Sequence, residues 1–188
     1  MLKTMIRKAI ISDLDEIVSI YDKIHTHEER GETTIGWKRN IYPTIDTATE
    51  AIEAGDMYVL TDDDRIVASG RINQIQVPEY RFAEWKYDAP DTEIMVLHTL
   101  TVDPDMSGHG YGGRFIRFYE EYALKKGCSF LRIDTNARNI RAREIYDHFG
   151  YREAGIVPCS FNGLPGVDLV CLEKRLLSLS ESKKSRKP

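Results

Sequence analysis

The chain has 188 residues, of which 26 are Lys or Arg and 30 are Asp or Glu, so its formal charge is −4. With 41% hydrophobic and 30% charged residues and no run of ~18 apolar residues, its composition excludes a disordered chain and a membrane bundle. We expect a cytoplasmic protein with no membrane contact and, because its cations cluster only at the C-terminus, no nucleic-acid partner. The length predicts one domain, placed at residues 1–175, before a polar basic tail at 176–188 that we expect to be disordered.

The first third of the chain predicts one strand and two helices. Residues 4–10 alternate weakly and indicate a strand. Ser12 is placed to cap a helix whose apolar residues continue at helical spacing to about His27. A loop over residues 28–43 then leads to a second helix over residues 47–54.

The next part of the chain predicts strands. Residues 57–61 and 66–75 are rich in β-forming side chains and flank a polar turn, so they should pair as a hairpin. Residues 76–92 mix aromatic and charged side chains and allow no assignment. A further strand is predicted over residues 93–102.

The second half predicts alternating helices and strands. A helix follows a glycine cluster and ends at Gly127, and a strand covers residues 129–134. A helix over residues 139–149 and a strand over residues 167–172 complete the prediction. Together these elements indicate an α/β fold, in which helices flank one central mixed β-sheet.

The glycine cluster is the most informative stretch. Four glycines lie within the segment 107–113, Ser-Gly-His-Gly-Tyr-Gly-Gly, between a predicted strand and a predicted helix. Free backbone amides and the positive end of a helix dipole bind phosphate groups at such a place. The segment also satisfies the dinucleotide pattern G-x-G-x-x-G, with Asp134 about 20 residues further on. Residues 103–107 separate the strand from the glycines, however, and no strand–helix alternation follows Gly150, which disfavours a dinucleotide fold.

A second pattern lies in the helix predicted over residues 139–149. Asn139, Ala142 and Tyr146 stand at i, i+3 and i+7, so they share one face of a helix. That face offers an amide, a small residue that permits close approach, and a phenol, which suits an extended polar ligand. Ile145 and Phe149 supply an adjacent apolar stripe for the core.

Together the two patterns resemble the Gcn5-related N-acetyltransferase (GNAT) family. The family's acetyl-CoA loop, Q/R-x-x-G-x-G/A, matches residues 107–112, with Ser107 where the family usually has Gln or Arg. Its later block, N-x-x-A-x-x-[LI]-Y-x-x-x-G-[FY], matches residues 139–151 without a gap. The resemblance to the fold spans roughly residues 4–175. It implies transfer of an acetyl group from acetyl-CoA to a primary amine, for which we favour a small molecule, by direct attack in a ternary complex.

The same resemblance assigns the cofactor-binding residues. Leu100 and Val102 would offer backbone groups to the pantetheine arm, and the glycines would hold the pyrophosphate. The full set is Leu100, Thr101, Val102, Ser107, Gly108, His109, Gly110, Tyr111, Gly112, Gly113, Asn139, Ala142 and Tyr146.

Catalysis requires a group that protonates the departing thiolate and a group that deprotonates the ammonium. The family motif puts Tyr146 in the first role, although a tyrosine that only packs the helix would give the same pattern. For the base we consider His98 and Glu93, both on the strand before the loop. A histidine of ordinary pKa could accept the proton, or it could be hydrogen-bonded within the sheet.

Aromatic residues are the candidates for the acceptor site. Trp37, Tyr42 and Trp85 could line it, or each could belong to the core or to the contact of a homodimer. Residues 44–64 carry seven acids and no Lys or Arg, which could attract a cationic amine but also suits a solvated surface. We predict no metal site, because the pair His25 and His27 offers two ligands on what we expect to be a solvated surface, and the three cysteines are widely spaced.

Three other functions stay open at this point. One is acetylation of a protein N-terminus or lysine, and a second is a non-catalytic sensor of acyl-CoA. A third is a nicotinamide-dependent enzyme that uses the same glycines.

Overall fold

A seven-stranded mixed sheet organises the part of the chain that the computed structural model describes, residues 4–177. Its order is β1-β2-β3-β4-β5-β7-β6, and among these strands β4 and β5 form the one parallel pair. The strands are β1 (Met5–Lys8), β2 (Met57–Asp62), β3 (Arg65–Asn73), β4 (Ile94–Val102), β5 (Phe130–Asn136), β6 (Arg152–Phe161) and β7 (Leu164–Arg175). The helices are α1 (Leu14–Glu29), α2 (Ile45–Glu53), α3 (Tyr111–Lys125) and α4 (Ile140–His148).

This architecture confirms the predicted mixed sheet flanked by helices. The β2–β3 hairpin forms as expected. The sheet is not the parallel, doubly wound sheet that dinucleotide binding requires, so the nicotinamide alternative loses its structural basis. Of the tail predicted over residues 176–188, residues 178–188 lie outside the described residues, while Leu176 is buried and donates its backbone N–H to the carbonyl oxygen of Ser129. No helix within the described range is long and apolar enough to cross a membrane.

Two local predictions are wrong. The strand β6 was not predicted, and it pairs antiparallel with β7 at the edge of the sheet. Ser12 does not cap α1, because residues 11–13 form a short 3-10 turn in which Ser12 is exposed. The carboxylate of Asp13 closes that turn, accepting the backbone N–H of Ile10 at 2.8 Å and pairing with Arg7.

Helices cover both faces of the sheet. On one face α3 inserts Phe115, Ile116 and Tyr119 into a cluster with the inward side chains of β3, β4 and β5. On the opposite face α1 and α2 pack on β2 and β3. The segment 76–92 covers β4, β6 and β7 on that second face through Tyr80. The two layers leave the sheet accessible where its two parallel strands end.

The strands β4 and β5 separate part-way along their length. Their parallel pairing runs from Ile94 with Phe130 to Leu97 with Ile133 and then ends. Just beyond, Thr99 has a φ of +50°, a value that β-branched residues rarely adopt. This irregularity turns the second half of β4 away from β5, so a gap opens between the two strands. The hydroxyls of Thr99 and Tyr42 form a hydrogen bond at this point.

The helix α3 approaches β3 closely at Gly70. A Cβ on this residue would lie 2.8 Å from Cε1 of Phe115 and 3.2 Å from Cδ1 of Leu97. Gly70 therefore sets how near α3, which begins at the glycine loop, can sit to the sheet.

We predict that Gly70→Ala lowers the free energy of unfolding by about 1–3 kcal/mol, because the added methyl overpacks the α3–sheet interface. Denaturant unfolding measures this change. Phe115→Leu should relieve part of this overpacking. The double variant should therefore lose less free energy of unfolding than the sum of the losses in the two single variants. Strict additivity would contradict the proposed contact.

Candidate active site

A cavity of about 920 Å³ occupies the gap between β4 and β5. Ile116 and Tyr146, which border it, belong to the core cluster under α3. Trp37 and Leu164 also border it, and they belong to clusters on the opposite face. The cavity therefore passes through the sheet and has one chamber on each face.

The first chamber is bordered by the glycine loop. Gly108 and Gly110 have φ values of +86° and +78°, which glycine adopts without strain. Within the described chain, the backbone N–H groups of residues 108–113 donate to no carbonyl oxygen. These amides lie at the N-terminus of α3, where the helix dipole is positive, so they form a cradle for an anion such as a pyrophosphate.

Two predicted cofactor residues of this loop turn their side chains elsewhere. His109 does not border the cavity, and its Nδ1 lies 3.1 Å from the carbonyl oxygen of Met106. The buried Tyr111 donates its hydroxyl to the carboxylate of Asp62. Both side chains therefore have partners within the protein, although Tyr111 borders the cavity.

The second half of β4 offers a backbone edge to the same chamber. Leu100, Thr101 and Val102 border the cavity beyond the point where pairing with β5 ends. The hydroxyl of Thr101 lies 2.8 Å from that of Ser69 within the sheet, so its side chain is already bound. The edge that faces the gap can pair with an extended amide chain such as pantetheine. The loop and this edge together fit acetyl-CoA.

The start of α4 completes the first chamber. Asn139 caps the helix, accepting the N–H of Ala142 at 3.2 Å through its side-chain oxygen, and both residues border the cavity. Sequence reasoning missed Arg141, whose Nη2 donates to the hydroxyl of Ser107 at 2.9 Å. Arg141 thus puts a cation beside Ser107, the position at which the family usually has Gln or Arg. Nothing in the motif indicates this pairing, because it joins two segments 34 residues apart.

Tyr146 lies where the two chambers meet. It is 6% exposed and borders the cavity, and its ring centroid lies 5.8 Å from that of Tyr151. No other described residue forms a hydrogen bond with its hydroxyl. Burial raises the pKa of Tyr146 above its ordinary value, with a smaller contribution from the nearby carboxylate of Asp134. The phenol is therefore protonated at neutral pH and available as a donor.

The structure does not bring either predicted base to the cavity. His98 lies 3.0 Å, through its Nε2, from the side-chain oxygen of Asn73 in a polar network with Asp56 and Arg71. Burial, together with the charge of Arg71, lowers the pKa of His98 to about 4, so the ring is neutral at physiological pH. Glu93 is exposed in the turn before β4. Alternation along β4 puts His98 on the same face as Val96, but its hydrogen bond to Asn73 holds the ring away from the cavity. The sequence does not reveal this contact.

The predicted acceptor residues divide between two places. Trp37 and Tyr42 border the second chamber and pack edge to face at 5.8 Å. Trp85 does not border it, because its Nε1 donates to the carbonyl oxygen of Tyr80 at 2.7 Å and its ring packs on Arg132.

The charged groups around the cavity also differ from the prediction. None of the seven acids in residues 44–64 borders it. The acidic residues that do are Glu32, Asp103, Asp134 and Glu144. His25 is buried, with Nε2 at 2.9 Å from the carbonyl oxygen of Pro43, so its assignment to solvated surface is wrong. His27 borders the cavity and pairs with Glu32 at 2.6 Å.

Two segments enclose the second chamber. The first, residues 30–44, is here called the strap. The Glu28 carboxylate holds it by accepting the backbone N–H groups of Ile35 and Gly36, each at 2.8 Å. The second is the β6–β7 turn, where a Cβ on Gly163 would lie only 3.3 Å from Cγ2 of Ile41 in the strap. The strap and the turn therefore approach each other beside the second chamber.

Comparison with known proteins identifies the family that this geometry suggests. The model of the acetyltransferase (GNAT) family matches residues 15–151. The chain belongs to the GNAT acetyltransferase family. Acetyl-CoA is the acetyl donor of this family, and the expectations for family and donor are confirmed.

Individual relatives support this assignment. An uncharacterized N-acetyltransferase of Methanocaldococcus jannaschii is 32% identical over 73 residues, which are 39% of this chain and 32% of that protein. The thialysine N-epsilon-acetyltransferase of Bos taurus is 31% identical over 74 residues, 39% of this chain and 41% of that protein. The chain thus spans well under half the length of these relatives.

Solved structures share the fold. A GNAT-family acetyltransferase from Streptococcus agalactiae superposes with a TM-score of 0.79 at 19% identity, covering 93% of this chain and 96% of that chain. A Salmonella typhimurium protein solved with its cofactor acetyl-CoA has a TM-score of 0.66 at 16% identity, covering 93% and 94%. The predicted GNAT-like fold is therefore confirmed.

We predict that Asn139→Ala destabilises the protein by about 1 kcal/mol, because the α4 cap is lost, whereas Asn139→Ser keeps an oxygen at the cap and most of the stability. Thermal unfolding of the two variants checks this difference. If the free amide nitrogen of Asn139 also contacts acetyl-CoA, the serine variant should bind it more weakly despite its stability. Equal loss of stability in both variants would argue against the capping role.

Proposed function

We propose that this protein transfers the acetyl group of acetyl-CoA directly to the primary amine of a small molecule. The observation that carries the proposal is the single cavity that joins the amide-lined chamber on one face of the sheet to the enclosed chamber on the other. A donor held along β4 and an acceptor held under the strap would meet inside the gap, without a change of site between half-reactions.

The approach of the strap to the β6–β7 turn beside the second chamber favours a small acceptor. A protein N-terminus or a lysine in a polypeptide needs an open groove for the chain on either side of the amine. Here Ile41 and Gly163 bring the strap and the β6–β7 turn into contact. The strap is also held near the start of α4, because Thr34 donates its hydroxyl to the carbonyl oxygen of Arg138 at 2.8 Å.

Direct attack fits the residues around the cavity better than a covalent acetyl-enzyme. Neither Cys128, Cys159 nor Cys171 borders the cavity. Burial raises the pKa of Cys171 to about 12, so this thiol is protonated and a poor nucleophile. In the proposed reaction the amine therefore attacks the donor itself, with both substrates bound together.

Tyr146 is the proposed general acid. Acetyl-CoA supplies an activated thioester whose departing sulfur needs a proton. The Tyr146 hydroxyl is protonated, has no competing hydrogen bond among the described residues and lies where the chambers meet. Burial disfavours a phenolate, but it disfavours a thiolate in the same site as well, so proton transfer to sulfur stays feasible.

We predict that Tyr146→Phe lowers kcat by roughly 10²–10³-fold while the Kd for acetyl-CoA changes little, because a general acid acts in the transition state. Steady-state kinetics and calorimetric binding measure the two quantities. Tyr151→Phe is a matched control, since the Tyr151 hydroxyl is also buried but Tyr151 does not border the cavity. Unchanged turnover of Tyr146→Phe would remove the phenol from the mechanism.

The choice of acceptor has its own test. Thiol release from acetyl-CoA, followed across small primary amines and across peptides with a free N-terminus or lysine, should show turnover with the small amines. Acetylation of peptides alone would instead favour the protein acetyltransferase. Binding of acetyl-CoA with no turnover of any amine would favour the acyl-CoA sensor.

A further inference from the structure

Asp134 is an acid at the point where the cavity crosses the sheet. It is the first residue of β5 after pairing with β4 ends at Ile133. Ile133 faces α3, so strand alternation turns Asp134 toward the opposite face, where Tyr80 donates its hydroxyl to Oδ2 at 2.8 Å. Asp134 borders the cavity, and no other described residue donates a hydrogen bond to its Oδ1. One carboxylate oxygen is thus available to a ligand.

The titratable groups around Asp134 provide no cation. The segment 76–92 contributes Glu79 and Tyr80, and the strap contributes Tyr42. The remaining groups, from α4, β6 and β7, are Tyr146, Cys159 and Cys171. Arg132, on the same face of β5, is turned to Gln76 and Trp85. Burial raises the pKa of Asp134 to about 6, so the carboxylate is ionised at neutral pH without a charged partner. A buried charge without a partner costs free energy, and a cation supplied by a ligand would offset that cost.

The rest of the second chamber suits an organic cation. Trp37, Tyr42 and Phe161 border it, and the faces of aromatic rings attract ammonium groups. Val167 and Leu169 border it as well and offer apolar surface to the body of a ligand. A buried carboxylate among aromatic rings is a setting that recognises a protonated amine.

We propose that Asp134 binds the ammonium group of the acceptor and accepts the proton that the amine must lose before it attacks. This inference rests on the proposed acetyl transfer. The amine gives one proton to Oδ1, and its freed electron pair forms the C–N bond with the acetyl carbonyl carbon as the C–S bond breaks. Sulfur takes the Tyr146 proton, the nitrogen returns a proton to the Tyr146 oxygen, and Asp134 releases its proton to solvent.

This assignment narrows the class of acceptor. A carboxylate next to the amine would lie beside Asp134 and would be repelled. We expect primary amines on an apolar body to be acetylated with a kcat/KM at least tenfold above that of α-amino acids of similar size.

The first experiment compares Asp134→Asn with His98→Gln over pH 5–9. For the wild type, kcat/KM should rise with pH through about 6, because the amine binds the ionised carboxylate. Asp134→Asn keeps an oxygen for the Tyr80 hydroxyl but should lower kcat/KM by roughly 10²–10³-fold and lose the acidic limb. His98→Gln should keep the wild-type profile. An acidic limb that persists in Asp134→Asn and vanishes in His98→Gln would overturn the proposal.

A second measurement separates proton acceptance from a structural role. An amine of low pKa is already neutral at pH 8–9 and needs no base, so the deficit of Asp134→Asn should shrink to less than tenfold with such an amine. An equal deficit for amines of low and high pKa would overturn the role as proton acceptor.

A third measurement does not require turnover. With coenzyme A in place of the donor, a protonated amine should raise the Tm of the wild type and not that of Asp134→Asn. If the wild type acetylates no amine but this difference persists, acetyl transfer fails and the ammonium site stands. An equal shift in both proteins overturns the site, whatever the activity.

Stability against pH provides a check on folding. The folded-state pKa of Asp134 is raised from 3.8 to about 6, so its contribution to stability is lost as pH rises through 6. Asp134→Asn should therefore gain Tm relative to the wild type between pH 5 and pH 8. A loss of Tm that grows over this range would contradict an ionised carboxylate without a partner.

Discussion

The separation of β4 from β5 is the constraint on which the site depends. A parallel pair normally continues until one strand ends, because each unpaired backbone group inside a protein costs free energy. Here pairing ends at Leu97 and Ile133, while both strands continue for several residues. The exposed backbone edges then require another partner. A linear amide such as pantetheine can supply the missing hydrogen bonds, and in the proposed complex the ligand would complete the sheet.

The gap also explains how one layer of strands serves two substrates. Side chains on β4 and β5 alternate between faces, so a ligand that passes through the sheet meets residues from both. In the proposed reaction, the glycine loop and α4 would hold the donor on the α3 side, while the strap, Tyr80 and the β6–β7 turn would surround the acceptor on the other. Transfer between them would keep water away from the thioester and bring together groups from distant parts of the sequence.

The local features were predictable because short-range rules govern them. The glycine loop and the helix face that carries Tyr146 follow from spacing alone, whereas the cap formed by Asn139 was not predicted, because Asn139 was placed inside the helix. The strand β6 was missed because Gly155 and Pro158 interrupt its pattern, and both are tolerated only because β6 lies at the sheet edge. The position of Asp134 at the gap could not be predicted, since it depends on where the pairing of two strands ends. The distance of His98 from the cavity could not be predicted either, because it depends on a hydrogen bond to Asn73 on another strand.

The contact between Ile41 and Gly163 has a consequence for how this enzyme could change over evolution. The proposed donor site is formed by β4, the glycine loop and α4, whereas the strap and the β6–β7 turn border the proposed acceptor site. Of these segments, only the β6–β7 turn lies outside the part of the chain that matches the family model. Lengthening or shortening either enclosing segment would alter the acceptor without disturbing the donor cradle. Substrate range and chemistry can therefore diversify independently within one fold.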